Sequence, residues 1–127
     1  MSYTDIEQAR ERHAALKNVF AQRRGDWAGG ADELRLVEEL CREAAASIGD
    51  AQCGEEMGIV GDYAAELFGG GEHRKWASES MSGDEFLRLQ ILKALDSFRS
   101  RLYSIEAIRR AADQQLYPSA LSTKPSR

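Results

Sequence analysis

The fold of this chain is decided by residues 82–116, SGDEFLRLQILKALDSFRSRLYSIEAIRRAADQQL. Apolar side chains recur there every three or four positions between Ile91 and Ile105, which is the spacing of one face of an α-helix. Ser82 followed by Glu85 matches a capping box and predicts where the helix begins. Because an α-helix rises about 1.5 Å per residue, this one would be about 50 Å long, more than a compact domain of this size needs. We therefore expect an all-α protein in which part of this helix contacts another molecule.

Three shorter helices are predicted before it from their apolar stripes, over about residues 5–24, 31–48 and 51–68. A capping box that begins at Thr4 opens the first helix, and Gly25 ends it. Gly49 ends the second helix, and Asp50 is the N-cap of the third. The short connections between these helices make neighbours antiparallel.

The predicted architecture is therefore one antiparallel four-helix bundle over residues 1–117, followed by a disordered tail over residues 118–127. The composition agrees with a folded helical chain, since 43% of the residues are hydrophobic, 30% are charged and only two are proline. No run of eighteen residues is apolar, and the N-terminus lacks the basic and apolar regions of a signal peptide. We expect a cytoplasmic protein without membrane contact, in which Cys41 and Cys53 stay reduced.

Acidic groups are concentrated in the middle of this acidic protein, whose formal net charge is −4. Residues 26–71 hold two basic and eleven acidic groups, whereas the segments on either side are weakly basic. An exposed acidic face would attract a basic partner and repel nucleic acid, so we expect no nucleic-acid binding. The alternative is that the acidic helices lie beside the basic first and last helices, with the charges matched inside the chain. The sequence leaves both alternatives open.

The candidate ligand-binding residues are His13 and Trp27. His13 lies in the apolar stripe of the first helix, one heptad from both Ile6 and Phe20. A histidine on such a face can sense pH or contact a ligand, although a core histidine bonded to a neighbour gives the same pattern. The pair supports an alternative function, a small-ligand sensor with a pocket between helices.

The candidate partner-binding residues are basic and aromatic side chains of the loop after the third helix, together with two apolar side chains of the last helix: His73, Arg74, Lys75, Trp76, Leu102 and Ile105. Arginine and tryptophan are common anchors of protein interfaces. The alternative for Trp76 is that it folds back over the end of the bundle. We expect Phe98→Asp to unfold the domain, and Leu102→Asp or Ile105→Asp to break only an interface.

Carboxylates of the second and third helices prompt a comparison with helical magnesium-dependent nucleotide pyrophosphohydrolases, the weakest alternative. Glu39 and Glu43, like Asp62 and Glu66, lie opposite the apolar stripes of their helices, whereas a metal cage needs oxygens that converge on an interior. No catalytic or phosphate-binding motif is present in the sequence. We expect no enzyme, no cofactor and no metal site. The predicted function is a noncatalytic interaction module, an adaptor, chaperone or inhibitor, that binds a protein partner or forms a homodimer.

Overall fold

The computed structural model describes residues 3–22, 27, 30–69 and 81–116. These residues form four α-helices, which we number in chain order: α1 Tyr3–Gln22, α2 Ala31–Ile48, α3 Ala51–Gly69 and α4 Gly83–Leu116. The helices pack against one another as an all-α bundle, which confirms the predicted fold class. The predicted end of the first helix at Gly25 and the predicted tail at residues 118–127 lie outside the described residues.

Each helix packs beside two others, so the bundle is four-sided. Within the described ranges, α1 and α3 each lie beside α2 and α4, and the diagonal pair α1 and α3 meets through the rings of Phe20 and Phe68, 6.2 Å apart between centroids. Arg10 near the start of α1 bonds to Glu106 near the end of α4. Arg88 near the start of α4 bonds to Phe20 near the end of α1. α1 and α4 are therefore antiparallel, and the two-residue connection between α2 and α3 reverses the chain there.

The predicted signals at three helix ends are confirmed. Gly49 ends α2 in the left-handed conformation, with φ of 66°, which glycine adopts without steric cost. Asp50 caps α3, since its Oδ2 accepts a hydrogen bond of 3.1 Å from the backbone N–H of Cys53. Ser82 caps α4 in the same way, accepting a bond of 3.1 Å from the N–H of Glu85.

The prediction that Thr4 caps α1 is wrong, because the helix begins at Tyr3 and Thr4 lies inside it. The tertiary structure explains the earlier start. The hydroxyl of Tyr3 donates a hydrogen bond of 2.8 Å to Asp113 on α4, and the guanidinium of Arg109 lies 5.4 Å from the centre of the Tyr3 ring. These contacts hold the first turn of α1 against α4, so a local capping signal does not determine where the helix starts.

The core is built from the apolar stripes that the sequence predicts, with Leu16, Val37, Val60 and Leu95 buried on the four helices in turn. One end of the core is aromatic. Trp27 stacks on Phe20 at a centroid distance of 5.7 Å and meets Phe68 edge-on at 5.6 Å. A methyl group at Gly30, the residue before α2, would lie only 2.7 Å from the Phe68 ring, so a side chain there would displace that ring.

The last part of α4 extends beyond the core. Among the described side chains of this helix, Ile105 is the last that is buried, since none at residues 106–114 is. Ala112, one heptad after Ile105, is exposed. No helix in the described ranges is both long enough and apolar enough to cross a bilayer.

Candidate functional site: two surfaces of the long helix

Leu102 and Ile105, which we predicted as partner-binding residues, are in the core. Only 3% and 8% of their surfaces are exposed, respectively. The reason is the length of α1, which runs beside α4 as far as the bond between Tyr3 and Asp113. Neither side chain is therefore available to a partner in this fold. The remaining partner-binding candidates, His73, Arg74, Lys75 and Trp76, lie outside the described residues.

His13 and Trp27 occupy different places. Trp27 is 1% exposed and belongs to the aromatic end of the core. His13 lines a cleft of about 120 Å³ between α1 and α4, and Trp27 does not. The structure therefore does not bring the two predicted ligand-binding residues together in one pocket.

The cleft beside His13, which we call the α1–α4 cleft, is lined by Arg10, His13, Arg99, Leu102 and Tyr103. His13 is 6% exposed, and its Nε2 lies 3.0 Å from the carbonyl oxygen of Leu95. Since a carbonyl can only accept, Nε2 carries the proton of the neutral ring and Nδ1 has a free lone pair. The ring also stacks on Phe98, at a centroid distance of 6.0 Å.

Burial lowers the pKa of His13 below its ordinary value. The bond to Leu95 and the charge of Asp96 raise this pKa, while the positive charges of Lys17 and Arg99 lower it further. The net effect favours the uncharged ring. Positive charge in the α1–α4 cleft at neutral pH therefore comes from its two arginines.

The two arginines of the cleft differ in their partners. Arg10 bonds to Glu7 and, over 2.9 Å, to Glu106. Arg99 lies 5.5 Å from the centre of the Tyr103 ring, an arrangement favourable for a cation–π contact. No carboxylate in the described part of the chain lies within salt-bridge distance of Arg99. Its guanidinium therefore keeps its full capacity to bind an anion.

Arg88 is a buried polar residue that the sequence interpretation missed. Only 4% of its surface is exposed. Its Nε donates to the carbonyl oxygen of Phe20 over 2.7 Å and its Nη2 to that of Ala21 over 3.1 Å, while Nη1 pairs with Glu85 over 2.9 Å. The two carbonyls belong to the last turn of α1, where acceptors have no partner within the helix. Arg88 thus caps α1 from α4, and a cation at that end also suits the helix dipole.

A second depression, which we call the α3–α4 groove, has a volume of about 190 Å³ and is lined by Glu56, Ile59, Tyr63, Gln90, Lys93, Ala94 and Ser97. Ile59 is 41% exposed, which is a large fraction for an isoleucine. One turn before Gln90 and Lys93 on the same helix lie Phe86 and Leu89, 42% and 38% exposed. The groove therefore combines exposed apolar surface with a polar rim.

The acidic groups of the middle segment are only partly matched within the chain. Glu43 on α2 pairs with Arg12 on α1 over 3.0 Å, and Asp50 forms two bonds with Arg101 on α4, of 2.8 and 3.1 Å. These two contacts agree with the internal matching that the sequence left open. The hydrogen bond from Arg101 holds the pKa of Asp50 at about 2.

The acidic residues of α3 itself are different. This helix contains four acidic and no basic residues. Three of them, Glu55, Glu56 and Asp62, have no basic group within salt-bridge distance among the described residues. Glu56 lines the α3–α4 groove, and Glu55 and Asp62 are exposed on the same helix. This side of the bundle therefore presents unmatched negative charge beside the exposed Ile59.

Few other residues in the described ranges are candidates for a nucleophile or a metal site. Cys41 and Cys53 are buried free thiols, and burial raises the pKa of each to about 12. A thiol with such a pKa is a poor nucleophile at neutral pH. No three metal-ligating side chains come together as a metal site in the part of the chain described.

Comparisons with known proteins add no relative. No protein-family model, no curated protein and no solved structure matches this chain. The function is therefore argued from the two surfaces of α4 described above, the α3–α4 groove and the α1–α4 cleft.

Proposed function

We propose that this chain is a noncatalytic interaction module whose α3–α4 groove binds a basic amphipathic helix of another protein. The observation that carries the proposal is the exposed Ile59 in a groove lined by the unmatched Glu56, with Glu55 and Asp62 exposed and unmatched on the same helix. Helices that dock into grooves insert apolar side chains spaced by three or four residues. The spacing between antiparallel α3 and α4 provides a groove of this kind.

Charge complementarity specifies the partner. Glu56 on α3 and Lys93 on α4 line the groove, and Glu55 and Asp62 are exposed on α3. Lysine or arginine residues on the partner helix would approach the α3 side and increase the rate of association. An acidic helix would be repelled by the same residues. The proposal therefore predicts that the partner helix is positively charged.

A second copy of this chain fits the groove less well than a basic helix. In a two-fold dimer the same patch lies on both sides of the interface. Pairing the α3–α4 groove with itself would thus bring the acidic residues of two α3 helices together, and the repulsion would oppose assembly. We therefore assign the groove to a different protein and not to a homodimer.

The proposal is tested with two synthetic helical peptides that share their apolar positions and differ only in polar residues, lysine in one and glutamate in the other. Fluorescence anisotropy should give saturable binding of the lysine peptide, at least ten times tighter than binding of the glutamate peptide, and weaker at high salt. A lysine peptide with the same composition in scrambled order controls for nonspecific attraction. Equal binding of the ordered and scrambled lysine peptides would contradict a groove.

Two matched variants test whether the lysine peptide binds in the α3–α4 groove. Ile59→Ser removes the exposed apolar side chain of the groove and should weaken binding of the ordered lysine peptide at least fivefold. Leu36→Ser is the control, because Leu36 is 48% exposed on α2, away from the groove. An equal loss of affinity in both variants would refute the assignment to α3 and α4.

A further inference from the structure

The α1–α4 cleft has the size of a small-molecule site. Its volume of about 120 Å³ is somewhat less than the roughly 150 Å³ of an apolar cavity that holds benzene. A group of about six non-hydrogen atoms would therefore fill it. Leu102 and His13 are buried, whereas Arg99 and Tyr103 are exposed, so the cleft has a protected floor and an accessible mouth.

The polar groups around the cleft favour a negatively charged ligand. Arg99 has no carboxylate partner in the described ranges, and its planar guanidinium can donate two parallel hydrogen bonds to one carboxylate. Arg10 adds positive charge, although Glu7 and Glu106 already take up part of it. These two acids set a limit on the charge of the ligand, because a dianion would be repelled more strongly than a monoanion.

The charged groups that act on His13 are two cations, Lys17 and Arg99, which lower its pKa, and one anion, Asp96, which raises it. The ring itself is bonded through Nε2 to Leu95, so its remaining polar atom is the acceptor Nδ1. An acceptor does not bind a carboxylate oxygen. Arg99 is therefore the anchor for the charged end of a ligand, and the exposed ring of Tyr103 offers apolar surface for its other end.

We propose that the α1–α4 cleft binds a small organic monocarboxylate, with Arg99 holding the carboxylate and the Tyr103 ring contacting the short apolar body. The site is separate from the α3–α4 groove, since it lies between α1 and α4 and shares no lining residue with that groove. A negative result with a monocarboxylate would therefore leave the proposed protein partner untouched, and a negative result with the helical peptide would leave this site untouched.

Butyrate is the probe, because it has six non-hydrogen atoms, a carboxylate and a short apolar chain. Titration of the protein with butyrate should shift the NMR signals of the His13 ring and the Leu102 methyl groups until they saturate. The uncharged butyramide has nearly the same shape and should cause no saturable shift. Equal responses to butyrate and butyramide would overturn the proposal.

Two variants test whether Arg99 binds the carboxylate of butyrate. Arg99→Gln removes the guanidinium from an exposed position and should weaken butyrate binding at least tenfold, whereas Arg35→Gln, on the exposed side of α2, should leave the affinity unchanged. Unchanged binding in Arg99→Gln would exclude Arg99 as the anchor and overturn the assignment. Inorganic phosphate is the third arm, and an affinity equal to that of butyrate would overturn the choice of an organic carboxylate.

Discussion

The two neighbours of α4 are held against it by different means. Along the seam with α1, polar groups of one helix bond to groups of the other: Arg10 to Glu106, Tyr3 to Asp113 and Arg88 to the carbonyls that end α1. Along α3, by contrast, the single ion pair with α4 in the described residues joins Asp50, just before the helix, to Arg101.

The contrast indicates which surface is available for binding. Charges that are bonded across the seam fix the position of α1 against α4 and are no longer free for another protein. Glu55, Glu56 and Asp62 on α3, by contrast, have no basic group within salt-bridge distance among the described residues. Their negative charge therefore remains available to a partner of opposite charge.

The largest effect is expected at the seam, from the loss of Arg88. Arg88→Met keeps most of the side-chain volume but leaves the carbonyl oxygens of Phe20 and Ala21, and the carboxylate of Glu85, without their donor. The free energy of unfolding in urea should fall by about 3 kcal/mol, as for other buried polar groups that lose a partner.

A matched control for Arg88 is Arg42 on α2, whose side chain is 71% exposed and pairs with Glu39 at 3.9 Å. Arg42→Met should change the free energy of unfolding by less than about 0.5 kcal/mol. A similar, small change in both variants would mean that Arg88 does not hold the seam.

An intermediate effect is expected at Asp50, which both caps α3 and pairs with Arg101. Asp50→Ala should lower the free energy of unfolding by about 1 kcal/mol through loss of the cap alone. Asp50→Asn keeps a capping oxygen and removes only the charge. The folded-state pKa of Asp50, about 2, lies below the ordinary value of roughly 3.9.

Because folding lowers this pKa, the contribution of the Asp50 charge to stability is fully present above about pH 4 and is lost as the pH falls towards 2. The difference in unfolding free energy between the unsubstituted chain and Asp50→Asn should therefore be constant from pH 5 to 7 and shrink between about pH 4 and 2. Urea denaturation over this range measures it. A difference that grows towards low pH has the opposite sign and would rule out the pair with Arg101.

The smallest changes in the free energy of unfolding are expected from substitutions of two glutamates, Glu106 in the seam and Glu55 on α3. Glu106 bonds to Arg10 in the seam and to Arg110 on its own helix, so Glu106→Gln should lower the free energy of unfolding by about 0.5–1 kcal/mol. Glu55 has no such partner in the described ranges. Glu55→Gln should leave stability unchanged or raise it by a few tenths of a kcal/mol, about the size of a surface repulsion. A clear loss for Glu55→Gln would show that α3 is charge-matched after all.

The sequence predicted those features of the fold that depend on neighbouring residues. Gly49, Asp50 and Ser82 end or begin helices in the structure as their local signals predict, because caps are formed within one turn of the chain. The apolar stripes predicted the core for the same reason, since helical periodicity determines which residues share a face. Thr4 is the exception, and there the contacts of Tyr3 with α4 decide the helix start.

Features that depend on distant parts of the chain were not predictable in the same way. Leu102 and Ile105 were assigned to an interface because the sequence does not reveal how far α1 runs beside α4. Trp27 follows no helical period, so its place in the aromatic core was missed. Arg88 did leave a signal, since it lies one heptad before Leu95 and therefore on the buried face.

The central claim is that the recognition surface of this chain lies on the α3 side of α4 and not on the α1 side. The most direct test is to map backbone amide NMR shifts while the ordered lysine peptide is titrated into the ¹⁵N-labelled chain. Our account predicts saturating shifts around residues 55–63 of α3 and residues 86–97 of α4, with none in the first half of α1. Shifts concentrated on α1 and on residues 99–113 of α4, with α3 unaffected, would contradict it.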